Sequence, residues 1–225
     1  MSETIIDLLP FILGSTIVPV QIIILLLFLK NQQSGLLKGF LFMLGMSTFR
    51  LVQGILFGLI LNLGGSPDQA DGKSPVVSTL LLVLGILLLN TAYKKIKKEE
   101  DPDGDPPKWM KMIESATTLK SFILGMQLLL ISPKMWVFML SAIGTINAAE
   151  LGKPTSILAF IIFMLLAQTT LILAISVRIL MPKRSKALLG TASAWLAQNN
   201  RIIIIVISLI FGVFFIYQGV TGLID

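Results

Sequence analysis

Phe122-Ile-Leu-Gly125-Met-Gln-Leu-Leu-Leu-Ile-Ser132-Pro133-Lys134-Met-Trp136-Val-Phe138 is an apolar run with a proline and a lysine near its middle. The run and its flanks are long enough to cross a bilayer, which takes about 20 predominantly apolar residues. Proline removes a backbone donor and clashes with the preceding turn, so Pro133 predicts a kink or a break. Lys134 places an ammonium at a depth where a charge costs about 2.5–3.5 kcal/mol on insertion scales. Either the lysine stem carries that charge along a neighbouring helix to the interface, or the break builds a site for something negatively charged. The rest of the chain favours the second reading.

The chain has 225 residues, 55% of them hydrophobic and 13% charged. Soluble domains run near 45–50% and about 25%. The apolar residues come in long blocks, which predicts an all-α polytopic membrane protein. A net charge of +6 then means basic cytoplasmic loops before it means nucleic acid. Cysteine and histidine are both absent. That excludes thiol redox chemistry, cysteine catalysis, histidine-based zinc or nickel handling and His-ligated haem. No metal site and no cofactor are expected. The N-terminus carries Glu3 and Asp7 and lacks the basic start of a signal peptide, so the first apolar segment is expected to stay in the mature protein.

Six segments qualify as spans, at about 8–29, 36–63, 76–93, 119–146, 157–180 and 202–224. Between the third and fourth lies the charged, proline-rich stretch from Lys94 to Pro107, which cannot bury a core and reads as a linker. The expected organisation is therefore a first three-helix repeat over 1–93, a cytoplasmic linker over 94–118 and a second three-helix repeat over 119–225. With alternating spans, one face receives Lys30, Lys38, Lys94, Lys95, Lys97, Lys98, Lys108, Lys111, Lys120, Arg178, Lys183, Arg184, Lys186 and Arg201. The other receives Lys73 and Lys153. The positive-inside rule puts both termini outside and the linker in the cytoplasm. Lys108–Ile113 and Lys183–Trp195 mix basic with bulky apolar residues and are expected as short interfacial helices.

An odd number of spans per half inverts the second half relative to the first. Gly14, Pro19 and Gln21 in span 1 answer Gly125, Pro133 and Lys134 in span 4. Spans 2 and 5 open on Phe40–Phe42 and Phe160–Phe163. Spans 3 and 6 share a glycine before bulky apolar residues, at Gly85 and Gly212. Two inverted repeats with proline-broken helices point to a transporter whose site lies near the midplane. Half-helices beginning at Pro19 and Pro133 would aim their free N–H groups and positive dipole ends at the membrane centre. Such a centre favours an anion.

Arg50 stands near the middle of span 2, flanked by Ser47, Thr48 and Gln53. All twelve acidic residues lie in termini, loops or span ends, so no carboxylate is available at depth to pair with Arg50 or Lys134. Two unpaired cations there would cost about 5–7 kcal/mol. Water, backbone carbonyls or a bound anion must compensate. A guanidinium suits bidentate contact with phosphate, sulfate or carboxylate, and Lys134 adds a point charge. Missing acidic relays argue against a cation pump. The expected substrate-binding set is Pro19, Gln21, Arg50, Gln53, Ser132, Pro133, Lys134 and Gln168, with interhelical hydrogen bonding as the competing role for the amides and hydroxyls. Gly54 and Gly58 form a GxxxG expected to mark close helix packing. No nucleophile–base pair, phosphate-cradling loop or metal cluster is present, so an enzyme is not expected.

At Phe122, Gly125, Ser132-Pro133-Lys134 and Phe138 the chain resembles the lysine-exporter (LysE) superfamily, whose second half leads into Asn-Pro-Lys at the corresponding place. Ser132 replaces that asparagine. The first half is similar to the GAP or sulfolipid-addressing (Sap) branch, where span 1 carries a proline like Pro19. Val18-Pro19-Val20 departs from the Pro-Gly-Pro of the amino-acid exporters. The resemblance implies a bacterial inner-membrane protein that helps export a solute or a glycolipid. With the buried cations and the inverted repeats, the expectation is an exporter that moves an anionic lipid, glycolipid or other anionic substrate by alternating access. The resemblance also implies membrane lipids, a second copy of the chain and a larger lipid-export protein as partners. The alternatives are a small-solute exporter, for amino acids or inorganic anions, and a non-transporting accessory subunit of a larger lipid exporter.

Overall fold

A computed structural model describes residues 2–30, 34–63, 75–97, 113 and 116–224. Among the described residues all regular structure is helical. Three helices are unbroken and long and apolar enough to cross a membrane: α3 (Gly35–Leu63), α4 (Pro75–Lys97) and α9 (Pro182–Ile224). Three further candidates are bent pairs, each a broken span or a re-entrant loop. In the first, α1 (Ser2–Thr16) meets α2 (Pro19–Lys30) at 57°. In the second, α5 (Thr118–Leu130) meets α6 (Pro133–Ala148) at 75°. In the third, α7 (Lys153–Leu166) meets α8 (Thr169–Leu180) at 59°. With each bent pair counted as one span, up to six spans cross the membrane.

The first two bends sit at the two prolines for a local reason. Each proline occupies the first position of a new helix, where its missing N–H is no loss and its fixed φ is already helical. The third bend has no proline. Here the Gln168-Thr169-Thr170 cluster supplies polar groups, and the Thr169 hydroxyl donates to the Leu166 carbonyl at 2.7 Å. The backbone tightens as the Gln168 N–H turns back to Leu165 O at 3.1 Å. A hydroxyl that takes a helix carbonyl can bend a helix as proline does. The sequence predicts one continuous span over 157–180, and this break corrects it.

Close backbone approach sets the packing. A Cβ added at Gly45 would run into the Phe122 carbonyl, and one at Gly125 into the Phe42 carbonyl, so α3 and α5 touch backbone to backbone. On the other side α4 lies along α9. A Cβ at Gly85 would come within 2.8 Å of Gly212 O, and one at Gly219 within 2.8 Å of Ser78 O. Arg201 of α9 fastens the end of α4 by donating from Nε to Lys95 O and from Nη2 to Ile96 O, both at 3.0 Å. Both carbonyls lie in the last described turn of α4, where a helix leaves carbonyls open to side-chain donors. Of the GxxxG pair, Gly54 packs under the Phe160 ring, whereas a Cβ at Gly58 would meet no atom of another described element within 4 Å.

Several polar side chains of the spans face in while many large apolar ones face out. Gln21, Arg50, Gln53 and Gln168 are buried, while Leu51, Ile55 and Leu59 of α3 and Ile202, Ile210 and Val213 of α9 are exposed. An apolar exterior of this extent suits lipid and not water. This is a membrane protein.

Helix α9 has 43 residues, which at 1.5 Å per residue makes about 65 Å, roughly twice the hydrocarbon thickness. The expected separate interfacial helix at Lys183–Trp195 is instead the first part of this helix. The turn into it is held by Arg178, whose Nη1 donates to Pro182 O at 3.1 Å and to Ser185 Oγ at 3.0 Å. Residues 98–112, which carry most of the expected linker and interfacial segment, lie outside the described residues; Ile113 is buried.

Candidate functional site

The breaks at Pro19 and Pro133 share one local pattern. In each, the carbonyl before the proline accepts two N–H groups: Val18 O from Gln21 and Ile22 (3.0 and 3.2 Å), and Ser132 O from Met135 and Trp136 (3.0 and 3.4 Å). Proline donates nothing. Among the described residues, the first-turn donors left without a backbone acceptor are the N–H groups of Val20 and Lys134. The Ser132 hydroxyl makes no capping bond at this helix start.

Both breaks border one cavity of about 20 Å³, lined by Gly14, Ile17, Pro19, Leu88, Lys134, Phe138, Ile204, Ile207, Ser208 and Phe211. The first residue of one half-helix, Pro19, and the second residue of the other, Lys134, therefore line the same space. A second cavity, of about 10 Å³, is lined by Ser15, Arg50, Gln53, Leu129, Met135, Met139 and Phe163. Neighbouring residues alternate between the two: Gly14 and Ser15 on α1, Lys134 and Met135, then Phe138 and Met139, on α6. Helices α1 and α6 form the partition, and the fit is close. A Cβ at Gly14 would lie 2.5 Å from the Phe138 ring. Phe138 in turn packs edge-on against Phe215, which stacks with Phe11 at 5.7 Å.

Arg50 is 2% exposed, and neither of its terminal nitrogens finds a hydrogen-bond partner among the described residues. The Nε2 of Gln53 is equally orphaned. Such groups are rare, because a buried donor without an acceptor costs about 1–3 kcal/mol, and more if charged. Phe49 and Phe57 close this region on α3 by packing edge-on against Trp136, 5.8 and 5.9 Å between centroids.

The third break joins the first. The Thr16 hydroxyl lies 2.7 Å from Ile12 O and 3.0 Å from Leu166 O, tying the end of α1 to the end of α7. Gln168, at the start of α8, donates from Nε2 to Ser47 Oγ at 3.0 Å, with the Ser47 hydroxyl 3.3 Å from Oε1. Ser47 precedes Arg50 by three residues on α3.

The sequence expects one site around Arg50 and Lys134. The structure gives each cation its own cavity, with Pro19 on the Lys134 side and Gln53 on the Arg50 side. Gln21 is buried at the start of α2, Ser132 is half-buried and Pro133 exposed, and none of them lines either cavity. Gln168 binds Ser47 and also stays outside both cavities. Ser208 was not expected. Its signal is a lone hydroxyl inside the run Ile202–Phe211. The apolar lining by Met135, Met139 and Phe163 carries no such signal.

A family model described as "Sap, sulfolipid-1-addressing protein" matches residues 8–221. No curated protein and no solved structure matches the chain.

Proposed function

We propose that this chain, which belongs to the Sap, sulfolipid-1-addressing protein family, moves an anionic lipid or glycolipid out from the cytoplasmic side of its membrane. The observation that supports this most directly is the cavity lined by Pro19 and Lys134, at the starts of two half-helices. An anionic headgroup placed there accepts from the N–H of Val20 and Lys134 and is neutralised by the lysine ammonium. The acyl chains stay in the bilayer against the exposed apolar faces of the helices. Arg50 supplies the second positive charge across the α1–α6 partition. The two halves act as inverted repeats whose rocking exposes the site to each side in turn. The reading is transport without chemistry, because the cavities offer cations and donors and no nucleophile with a base. The charge asymmetry of the loops supports an inner bacterial membrane with both termini outside and the linker in the cytoplasm. The lysine-exporter likeness of Ser132-Pro133-Lys134 supports homodimers, and the sulfolipid-addressing family supports a larger lipid-export partner.

The test is movement of a headgroup-labelled anionic glycolipid between leaflets of proteoliposomes. Lys134→Gln and Arg50→Gln should each slow it about tenfold or more, the worth of one hydrogen bond to a charged group, while unfolding stays cooperative. A double variant that transports normally contradicts the proposal. The cavity's small size, about 20 Å³ or room for one or two water-sized particles, also suits a small inorganic anion, and an amino acid would need the cavity to widen. Flux of such a solute through lipid-matched vesicles, with no movement of the glycolipid, would select that second reading.

A further inference from the structure

We infer that the Arg50 cavity binds a single monoatomic anion of chloride size, separately from the headgroup at Lys134. The evidence is the donor set. Two guanidinium nitrogens and the Gln53 amide nitrogen are buried without an acceptor among the described residues, and all belong to residues lining one cavity. Ser15 adds a hydroxyl, and the remaining lining is Leu129, Met135, Met139 and Phe163. Thioethers are weak acceptors and no carboxylate lines the space, so the arginine charge is balanced by nothing in its own wall.

Size chooses among anions. A space of about 10 Å³ holds about one water-sized particle, which fits a halide and rejects a tetrahedral sulfate or phosphate. A neutral water would satisfy part of the hydrogen bonding and leave the charge uncompensated. Directionless coordination by a guanidinium fork, an amide and a hydroxyl is what a spherical anion accepts. Beyond the proposed lipid movement, this makes Arg50 a halide site whose anion a headgroup must displace before the guanidinium charge acts on it. The inference rests on this cavity alone and holds or fails without any lipid assay.

The experiment uses the purified full-length chain in detergent, with sodium chloride, bromide, sulfate or gluconate at one ionic strength. Thermal unfolding should shift upward saturably with chloride and bromide and not with sulfate or gluconate. Arg50→Gln should abolish that difference. An equal response to chloride and gluconate in the wild type, or a halide shift that survives Arg50→Gln, overturns the inference. Should Arg50→Gln fail to fold, Gln53→Leu keeps the guanidinium and removes one donor. It should raise the chloride midpoint about tenfold, as expected for a lost hydrogen bond to an ion, and an unchanged midpoint overturns the inference. A bromide anomalous peak beside Arg50 in crystals would support it directly, and one beside Lys134 alone would count against it.

Discussion

Gln168 and Ser47 hold their places by binding each other, Nε2 to Oγ at 3.0 Å, across two helices far apart in the chain. Interhelical hydrogen bonds in membranes average about 0.6 kcal/mol and reach about 1.7. Ser47→Ala and Gln168→Leu should each cost about that much, and the double variant should cost little more than either. Additive losses in a denaturation cycle would show that the pair is not coupled. Arg201→Ala should cost more, about 1–3 kcal/mol, because it strips two carbonyls at the end of α4 of a charged donor. Residues of this kind are partly legible in sequence. Arg50, Gln53, Lys134 and Gln168 stand out because polar groups are expensive in an apolar run. Which cavity each one faces depends on the turn it occupies on α3 or α6, and sequence separation does not report that. Hence one expected site becomes two.

At the scale of elements, proline made two of the three breaks predictable and its absence hid the third. Pro19 and Pro133 act through backbone covalent structure, so their effect is written locally. Gln168 and Thr169 act through hydrogen bonds to Ser47 and Leu166, which only the folded chain supplies. Glycines show the same divide. Gly45, Gly58 and Gly125 look alike in sequence, yet only the first and last carry a backbone contact between α3 and α5. Gly45→Ala and Gly125→Ala should each destabilise by about 1–3 kcal/mol through overpacking. Gly58→Ala should be neutral or stabilising by about 0.5–1 kcal/mol from helix propensity. Unfolding midpoints of the three variants check the ordering, and equal effects would contradict the crossing.

For the whole molecule, the membrane class follows from composition, and up to six candidate spans from block length. The 43-residue α9 does not, since nothing between Lys183 and Trp195 marks a helix end that is absent. Topology can be tested cleanly because the chain contains no cysteine. Ser2→Cys should react with an impermeant maleimide on intact cells, whereas Asp103→Cys should react only after permeabilisation. The reverse pattern would place the linker outside and remove the basis for export from the cytoplasmic side.

The central claim is that the helix breaks at Pro19 and Pro133 and two cations bring an anionic headgroup to the centre of the protein. Mass spectrometry of lipids retained after mild solubilisation tests it most directly, with wild type beside Arg50→Gln/Lys134→Gln. The wild type should keep an anionic lipid or glycolipid that the variant loses. The same lipids on both proteins, or none on either, would contradict the claim and leave Arg50 and Lys134 as structural cations.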